Sequence, residues 1–160
     1  MCRRPRSLPC ASAAWKIGWA CGPAHLVAAV ATAKQYLTYA TGTPFQAAVA
    51  AMLASKTAWV AGLRDDLQTN RDLLREGLCR AGLTAFPGEG GYFVQADVRA
   101  WGHPDGERFC RELPLRAGVV AVPTSAFYQG DEVPGRLVRF SFCKDRQVVK
   151  EAVRRLVAAR

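Results

Sequence analysis

The stretch LVRFSFCKDRQVVKEAVRRLVAA, residues 137–159, combines a strand with the helix that follows it. Its first half is an apolar run around a single arginine, Arg139, which is typical of a sheet strand. Its second half places Val149, Val153 and Leu156 at helical spacing, and Asp145 precedes that pattern as a predicted N-cap. The stretch therefore predicts a strand and an amphipathic helix that packs on the sheet.

The residues before this stretch repeat the same two patterns. PGEGGYFVQADV, residues 87–98, predicts a glycine-rich turn and a strand with Tyr92, Val94, Ala96 and Val98 on one face. DGERFCRELPLRAG, residues 105–118, predicts a short helix, and GVVAVP, residues 118–123, a fully apolar strand. Strands with helices on one side form an α+β domain, which we assign to residues 83–160.

A helical pattern occupies the middle of the chain, residues 44–82. In TGTPFQAAVAAML, residues 41–53, Thr43 is a predicted N-cap, Pro44 suits the first helical position, and Gln46 completes a capping box. The apolar pattern continues to Gly82, either as one long helix or as two helices with a bend near residues 56–57. We expect this region to connect two structural units and to leave apolar surface uncovered.

The first 43 residues lack the continuous helical pattern of residues 44–82. Residues 1–14 have neither strand nor helix periodicity and predict an unstructured tail. WKIGWAC, residues 15–21, predicts a short buried strand that ends at Gly22-Pro23, and residues 24–36 have helical spacing with Leu26, Val30 and Ala33 on one face.

Two basic side chains lie inside apolar strands. Lys16 either meets an anionic partner, which a buried ammonium requires, or extends from an edge strand into water. Arg139 either points outward from an alternating strand or is a buried guanidinium that holds a carboxylate by two parallel hydrogen bonds. The pattern of residues leaves both pairs of alternatives open. Tyr39 by itself fits a core position better than a ligand contact.

Composition excludes several classes of protein. A formal charge of +9 suggests nucleic acid, but the basic residues concentrate near both ends and elsewhere alternate with acids, so we predict no nucleic-acid partner. The six cysteines form no CxxC pair and there are two histidines, so we predict no metal site and reduced, mostly buried thiols of a cytoplasmic protein. No apolar stretch approaches the roughly 20 residues that span a bilayer, which predicts no membrane partner.

Five motifs occur in one order: WKIGWACGP, YLTYATGTPFQAAVA, GGYFVQADV, GVVAVPTSAFY and LVRFSFCKD. Together they resemble the C-terminal part of a class I/II aminotransferase, the fold-type I family that uses pyridoxal 5'-phosphate. The subgroup is similar to kynurenine–oxoglutarate, methionine and N-succinyldiaminopimelate aminotransferases. The resemblance implies an α/β fold, with residues 83–160 as the small domain, residues 44–82 as the connecting helix region, and residues 15–43 as a remnant of the large cofactor-binding domain.

The resemblance also implies roles for three residues. Lys16 matches a basic residue that contacts the cofactor phosphate, and Arg139 matches the arginine that binds the substrate's α-carboxylate. Tyr39 lies where an aromatic residue of the family reaches toward the neighbouring subunit's active site, which implies a homodimer. The implied substrates are an amino acid and a 2-oxo acid.

The chain departs from the family's pattern before Trp15. The family's Schiff-base lysine would occupy position 8, where this chain has Leu8. We therefore expect no catalytic residue, no transaminase activity and weak binding of the cofactor. Residues 1–14 are expected to be non-family sequence from an out-of-frame or mis-started read. The alternative is a non-catalytic small-domain module that docks on a partner.

Overall fold

The computed structural model describes residues 17–40, 42–55, 57–103, 105–128 and 135–160. The chain divides into two compact units, Met1–Arg64 and Asp65–Arg160. In chain order the elements are α1 Ala24–Leu37, α2 Thr43–Ser55, α3 Thr57–Arg80, β1 Thr84–Ala85, β2 Phe93–Asp97, α4 Gly106–Ala117, β3 Val122–Pro123, β4 Leu137–Ser141 and α5 Arg146–Ala158. Within the described ranges, no helix combines the length and apolar character needed to cross a membrane.

The second unit contains a four-stranded sheet in the order β1-β2-β4-β3. Every neighbouring pair is antiparallel, and Arg139 on β4 lies opposite Gln95 on β2 and opposite Val122 on β3. Side chains alternate between the two faces of a strand. One face therefore carries Val94, Ala96, Val138 and Phe140, all of which are buried.

Helices of the second unit contribute the other side of this core. Leu74 and Leu78 come from α3, Phe109 and Leu113 from α4, and α5 contributes Val149, Val153 and Leu156. Each such side chain stabilises the fold by about 1.5–3 kcal/mol when it is fully buried. The predicted α/β architecture, with a sheet and packed helices at the C-terminal end of the chain, is confirmed.

Aspartates begin the two C-terminal helices. The Asp145 carboxylate accepts a hydrogen bond from the Gln147 amide at 2.8 Å, which confirms the predicted N-cap of α5. Asp105 does the same for α4, since its carboxylate accepts from the amides of Glu107 at 2.8 Å and Arg108 at 3.4 Å. Such caps satisfy amides that have no partner inside the helix.

In the connecting region the structure describes the helices α2 Thr43–Ser55 and α3 Thr57–Arg80, and residue 56, near which the bend is predicted, lies outside the described residues. The predicted start of α2 is one residue too late. The Gly42 carbonyl accepts hydrogen bonds from the amides of Phe45 and Gln46, and Thr43 is already helical. Gly42, rather than Thr43, therefore precedes the first turn of the helix.

Two predicted strands differ from the structure. Residues 17–21 form no strand, and residues 18–21 are exposed rather than buried. Within the described residues no strand pairs with them, and an extended segment without a ladder leaves its amides to solvent. In GVVAVP only Val122 and Pro123 pair with β4, while Val120 is 73 % exposed. Gly118 has a left-handed backbone and Pro123 lacks an amide proton, which limits the ladder at both ends.

Most described residues of the first unit are exposed. No residue of α1 is buried, and Leu26 and Val30, on the apolar face predicted for it, are about half exposed. Val49 of α2 is the only buried residue in the described part of this unit. In the connecting region itself, Phe45, Leu53 and Trp59 are 39–48 % exposed, in line with the apolar surface expected there.

Candidate functional site

The sheet has a second face, opposite the face that packs on the helices. By strand alternation and register it carries Phe93, Gln95, Asp97, Leu137, Arg139 and Ser141. Half of these positions are apolar or small, and Arg139 lies at the middle of β4, next to the exposed Gln95. This second face is where polar groups and aromatic rings come together in the second unit.

Two aromatic rings lie against the Arg139 guanidinium. Its central carbon is 4.2 Å from the ring centroid of Phe93 and 3.8 Å from that of Phe127. Phe93 belongs to β2, whereas Phe127 closes the short 3-10 turn Thr124–Phe127 that follows β3. The side chain is half-buried and lies on the face opposite the core, so Arg139 is the outward residue of an alternating strand, which is one of the two interpretations that the sequence left open.

Arg139 lacks the partners that a half-buried cation usually has. Its Nε atom is buried without a hydrogen-bond partner. Within the described ranges, no carboxylate forms an ion pair with it. Stacking on two rings stabilises the charge but satisfies none of the guanidinium's N–H donors. The arrangement can therefore accept a planar anion in the plane of the guanidinium.

Asp97 forms an ion-pair cluster at one end of the second face. Arg99 donates from Nε to both carboxylate oxygens, at 3.1 and 3.0 Å, and Arg136 donates from Nε to Oδ2 at 3.0 Å. Burial of Asp97 acts to raise its pKa, but the hydrogen bonds and charge of Arg99, together with the hydrogen bond from Arg136, outweigh it and lower the pKa below 3.8. Two arginines against one aspartate leave this cluster with a net positive charge.

Asn70 is a buried polar residue that sequence reasoning did not single out. Its Nδ2 donates to the carbonyl oxygens of Phe142 at 3.3 Å and Lys144 at 2.9 Å, immediately after β4. These bonds connect α3 to the end of the strand that carries Arg139. Only the tertiary structure brings these residues together, because they are more than 70 positions apart.

The remaining predicted site residues lie elsewhere. Tyr39 belongs to the first unit and is 81 % exposed, so the core interpretation of this residue is wrong. Its backbone is left-handed, with φ of 51°, and Lys34 Nζ donates to its carbonyl at 3.1 Å. Lys16 and Leu8 lie outside the described residues.

The second unit contains a cavity of about 580 Å³, and Arg139 is not among the residues that line it. Its lining is mainly apolar and comes from α5, from residues 118–120 and from the end of β4. No side chain in this lining has a buried polar atom without a partner. It offers a concave apolar lining, whereas the second face of the sheet offers a guanidinium whose buried Nε has no partner.

The described cysteines do not fit the prediction of mostly buried thiols. Cys21 and Cys79 are exposed, Cys110 and Cys143 are half-buried, and all four are free. Burial, with smaller contributions from Asp105 and Glu107, raises the pKa of Cys110 to about 11, so its thiol stays protonated at neutral pH. In the part of the chain that the structure describes, no cluster of three metal-ligating side chains occurs.

Several known proteins are similar to this chain in sequence and in fold. A relative from Mycobacterium tuberculosis, named "Probable N-succinyldiaminopimelate aminotransferase DapC", is 49 % identical over 150 residues, which cover 89 % of this chain. The methionine aminotransferase of Escherichia coli is 35 % identical over 142 residues, again 89 % of the chain. The solved structure of N-succinyldiaminopimelate aminotransferase from M. tuberculosis superposes with a TM-score of 0.82 at 48 % identity over 93 % of the chain.

The similarity covers only part of those proteins. The chain spans 38 % of the length of the first relative, 36 % of the second and 39 % of the solved structure. The model of the family described as "Aminotransferase class I and II" matches residues 10–156, most of the chain. The resemblance found in the five motifs is thereby confirmed: this chain belongs to the class I and II aminotransferase family.

Proposed function

We propose that this chain is the carboxyl-terminal part of a pyridoxal 5'-phosphate-dependent aminotransferase, and that Arg139 binds the α-carboxylate of its amino acid and 2-oxo acid substrates. The observation that carries the proposal is the Arg139 guanidinium, stacked on Phe93 and Phe127 with its Nε buried and unpaired. A half-buried cation in this state is stabilised by an anion that arrives with the ligand.

A carboxylate suits this guanidinium better than other anions do. Its two oxygens match two parallel N–H donors in one plane, which gives the strong bidentate form of a charge-assisted hydrogen bond. At the end of the face, Arg99 and Arg136 outnumber the single carboxylate of Asp97, and the net positive charge of this cluster favours the approach of an anion. Both amino acids and 2-oxo acids carry the carboxylate that this site would bind.

Three further assignments follow from the family and belong to the proposal. Lys16 contacts the cofactor phosphate, and Tyr39 reaches a neighbouring subunit in a homodimer; its 81 % exposure is compatible with that role. Residues 83–160 are the small domain, residues 44–82 the connecting helix region, and residues 15–43 a remnant of the large domain. The family model already matches from residue 10, so of the tail proposed for residues 1–14 only residues 1–9 lie outside the matched range. We also propose that the protein is cytoplasmic.

The described residues do not form a cofactor site. Pyridoxal 5'-phosphate supplies an electron sink when it is bound, and it needs a lysine to hold it covalently. Lys16 and the Leu8 position lie outside the described residues, and leucine has no amine. The part of the reaction proposed for the described residues is therefore the binding of the substrate carboxylate.

The binding of small carboxylates to the 160-residue chain tests the proposal. We expect propionate and 2-oxoglutarate to bind the unaltered chain, and Arg139→Gln to weaken both by at least tenfold, because a charged hydrogen bond is worth about 1.5–3 kcal/mol. Arg154→Gln is the matched control, since Arg154 is an exposed arginine of α5 that pairs with Glu151. Equal affinities in the Arg139→Gln variant and the unaltered chain, measured by calorimetry, would contradict the proposal.

A second candidate function is a non-catalytic module that docks on a partner. The first unit favours it, because Tyr36 and Leu37 at the end of α1 are 85 % and 81 % exposed. Such a module should associate through this unit with a second copy or with an intact aminotransferase. Sedimentation over a hundredfold range of concentration distinguishes the two candidates: a chain that stays monomeric, alone and mixed with an intact relative, is no docking module.

A further inference from the structure

We propose that Phe127 is a positioning residue for Arg139: with Phe93 it forms an aromatic clamp that fixes the guanidinium so that a carboxylate approaches its edge. The term aromatic clamp denotes these two phenylalanines. The inference rests on the proposed function of Arg139 and adds to it the group that orients the arginine. It also assigns a role to Phe127, which the motifs of the sequence left without one.

The two distances define the clamp. A cation within about 6 Å of a ring centroid is attracted to the face of the ring, and here the values are 3.8 Å for Phe127 and 4.2 Å for Phe93. Both rings therefore attract the guanidinium and restrict its orientation. Two parallel hydrogen bonds to a carboxylate use the N–H groups at the edge of the guanidinium, which stacking on the rings leaves unpaired.

The two members of the clamp are held differently. Phe93 is half-buried in β2, opposite Ser141 of β4, so the ladder fixes its backbone. Phe127 is 57 % exposed at the end of a 3-10 turn and is not one of the buried core residues. An exposed ring that stacks on a charged side chain contributes little to the hydrophobic core, so its substitution can alter Arg139 without unfolding the sheet.

The free Nε supports a role in orientation. A guanidinium in a fixed geometry usually donates Nε–H to a carbonyl or carboxylate, as Arg136 does to Asp97. Arg139 Nε is buried and has no such partner, so no hydrogen bond donated by Nε fixes this side chain. Stacking on the clamp is then the interaction that orients it. Removing one ring should free the side chain to rotate among its rotamers.

Nuclear magnetic resonance of the Arg139 Nε–H group tests the clamp on the full ¹⁵N-labelled chain. Its resonance is identified by its loss in Arg139→Lys. We expect Phe127→Leu to speed hydrogen exchange of this group at least tenfold and to weaken propionate binding about three- to tenfold. Phe127→Tyr keeps the ring and should restore both values to within about twofold.

The matched control is Phe86→Leu, the same change at a phenylalanine that is 40 % exposed in the same unit and stacks on no described arginine. It should leave both values unchanged. Unaltered exchange and affinity in Phe127→Leu would overturn the clamp, as would an equal loss in Phe86→Leu. Phe127→Met replaces Phe127→Leu if the leucine variant loses its dispersed amide spectrum.

The two readouts separate this inference from the proposed function. If propionate fails to bind the unaltered chain, the carboxylate site is wrong, while faster exchange in Phe127→Leu still supports the clamp. If propionate binds through Arg139 but Phe127→Leu changes neither exchange nor affinity, the proposed function stands and the clamp is wrong.

Discussion

Gly77 of α3 and Val153 of α5 are in direct contact because Gly77 has no side chain. A Cβ atom on Gly77 would lie 2.9 Å from the Val153 Cβ and closer still to both of its methyl groups. Val153 is buried and β-branched, so its side chain cannot rotate away without disturbing the core. The close approach of α3 and α5 therefore requires glycine at this position.

Gly77→Ala should destabilise the second unit although alanine favours a helix. The overlap with Val153 should cost about 1–3 kcal/mol, against about 1 kcal/mol gained in helix propensity. Gly62→Ala is the matched control in the same helix, because a Cβ there meets nothing within 4 Å, and it should be neutral or stabilising. Urea unfolding measures both variants; equal stability for the two would show that the helices separate at no cost.

Asp97→Asn should lower the free energy of unfolding at pH 7 by about 1–3 kcal/mol, since Arg99 and Arg136 lose a charged acceptor. The pKa of Asp97 is lowered on folding, so the unfolded chain binds this proton more readily. The stabilisation is thus fully present above the unfolded pKa of about 3.9 and is lost as pH falls through the lower folded pKa.

The variant should accordingly show a smaller loss of stability below pH 4 than the unaltered chain. Asp72→Asn is the control, because Asp72 forms an exposed pair with Arg71 and exposed pairs contribute at most about 1 kcal/mol. Thermal unfolding from pH 2.5 to 7 measures both effects. Parallel pH profiles for Asp97→Asn and the unaltered chain would rule out this role of Asp97.

Asn70→Asp should destabilise the chain more than Gln68→Ala does. The amide of Asn70 donates to two carbonyl oxygens, and a carboxylate there would face the same oxygens as a second acceptor. Loss of these bonds at a buried position should cost about 2–3 kcal/mol at pH 7, whereas Gln68 is exposed on the same helix. Chemical unfolding at pH 7 measures the free energy of unfolding of both variants. Similar values for Asn70→Asp and Gln68→Ala would mean that the two hydrogen bonds of Asn70 contribute little to stability.

Thiol labelling should distinguish Cys110 from Cys79. A pKa of about 11, against an ordinary 9.0, lowers the thiolate fraction of Cys110 about a hundredfold at pH 8, and the thiol is also half-buried. Cys79 is exposed and should react with iodoacetamide at least tenfold faster. Peptide mass spectrometry after timed labelling gives both rates. Faster labelling of Cys110 would place its side chain in a more open environment than the structure has.

Local pattern was sufficient where neighbours in sequence determine the structure. The N-cap at Asp145 and the buried faces of β2 and α5 follow from spacing within one element, and the structure confirms them. The stretch 118–123 was predicted to be a longer strand because apolar content does not reveal whether a pairing partner exists. Only Val122 and Pro123 have one.

The environment of Arg139 needed the tertiary structure. Its position in an apolar strand marked it as a candidate, and the family resemblance gave it a role. Neither indicated Phe127, which reaches the guanidinium from a turn after another strand. The same holds for Arg136 and Asp97, whose pairing joins residues 39 positions apart. Contacts between residues that are far apart in the chain produce no periodic pattern in the sequence.

The strand order β1-β2-β4-β3 also constrains how the chain folds as it is synthesised. Of the strands that the structure describes, β4 is translated after the other three, yet it lies between β2 and β3 and is the neighbour of both. Before residues 137–141 have been translated, the two earlier strands have no common template on which to align. A sheet that depends on such distant pairing forms late and slowly. The nascent chain therefore exposes the apolar strands β2 and β3 until β4 emerges from the ribosome.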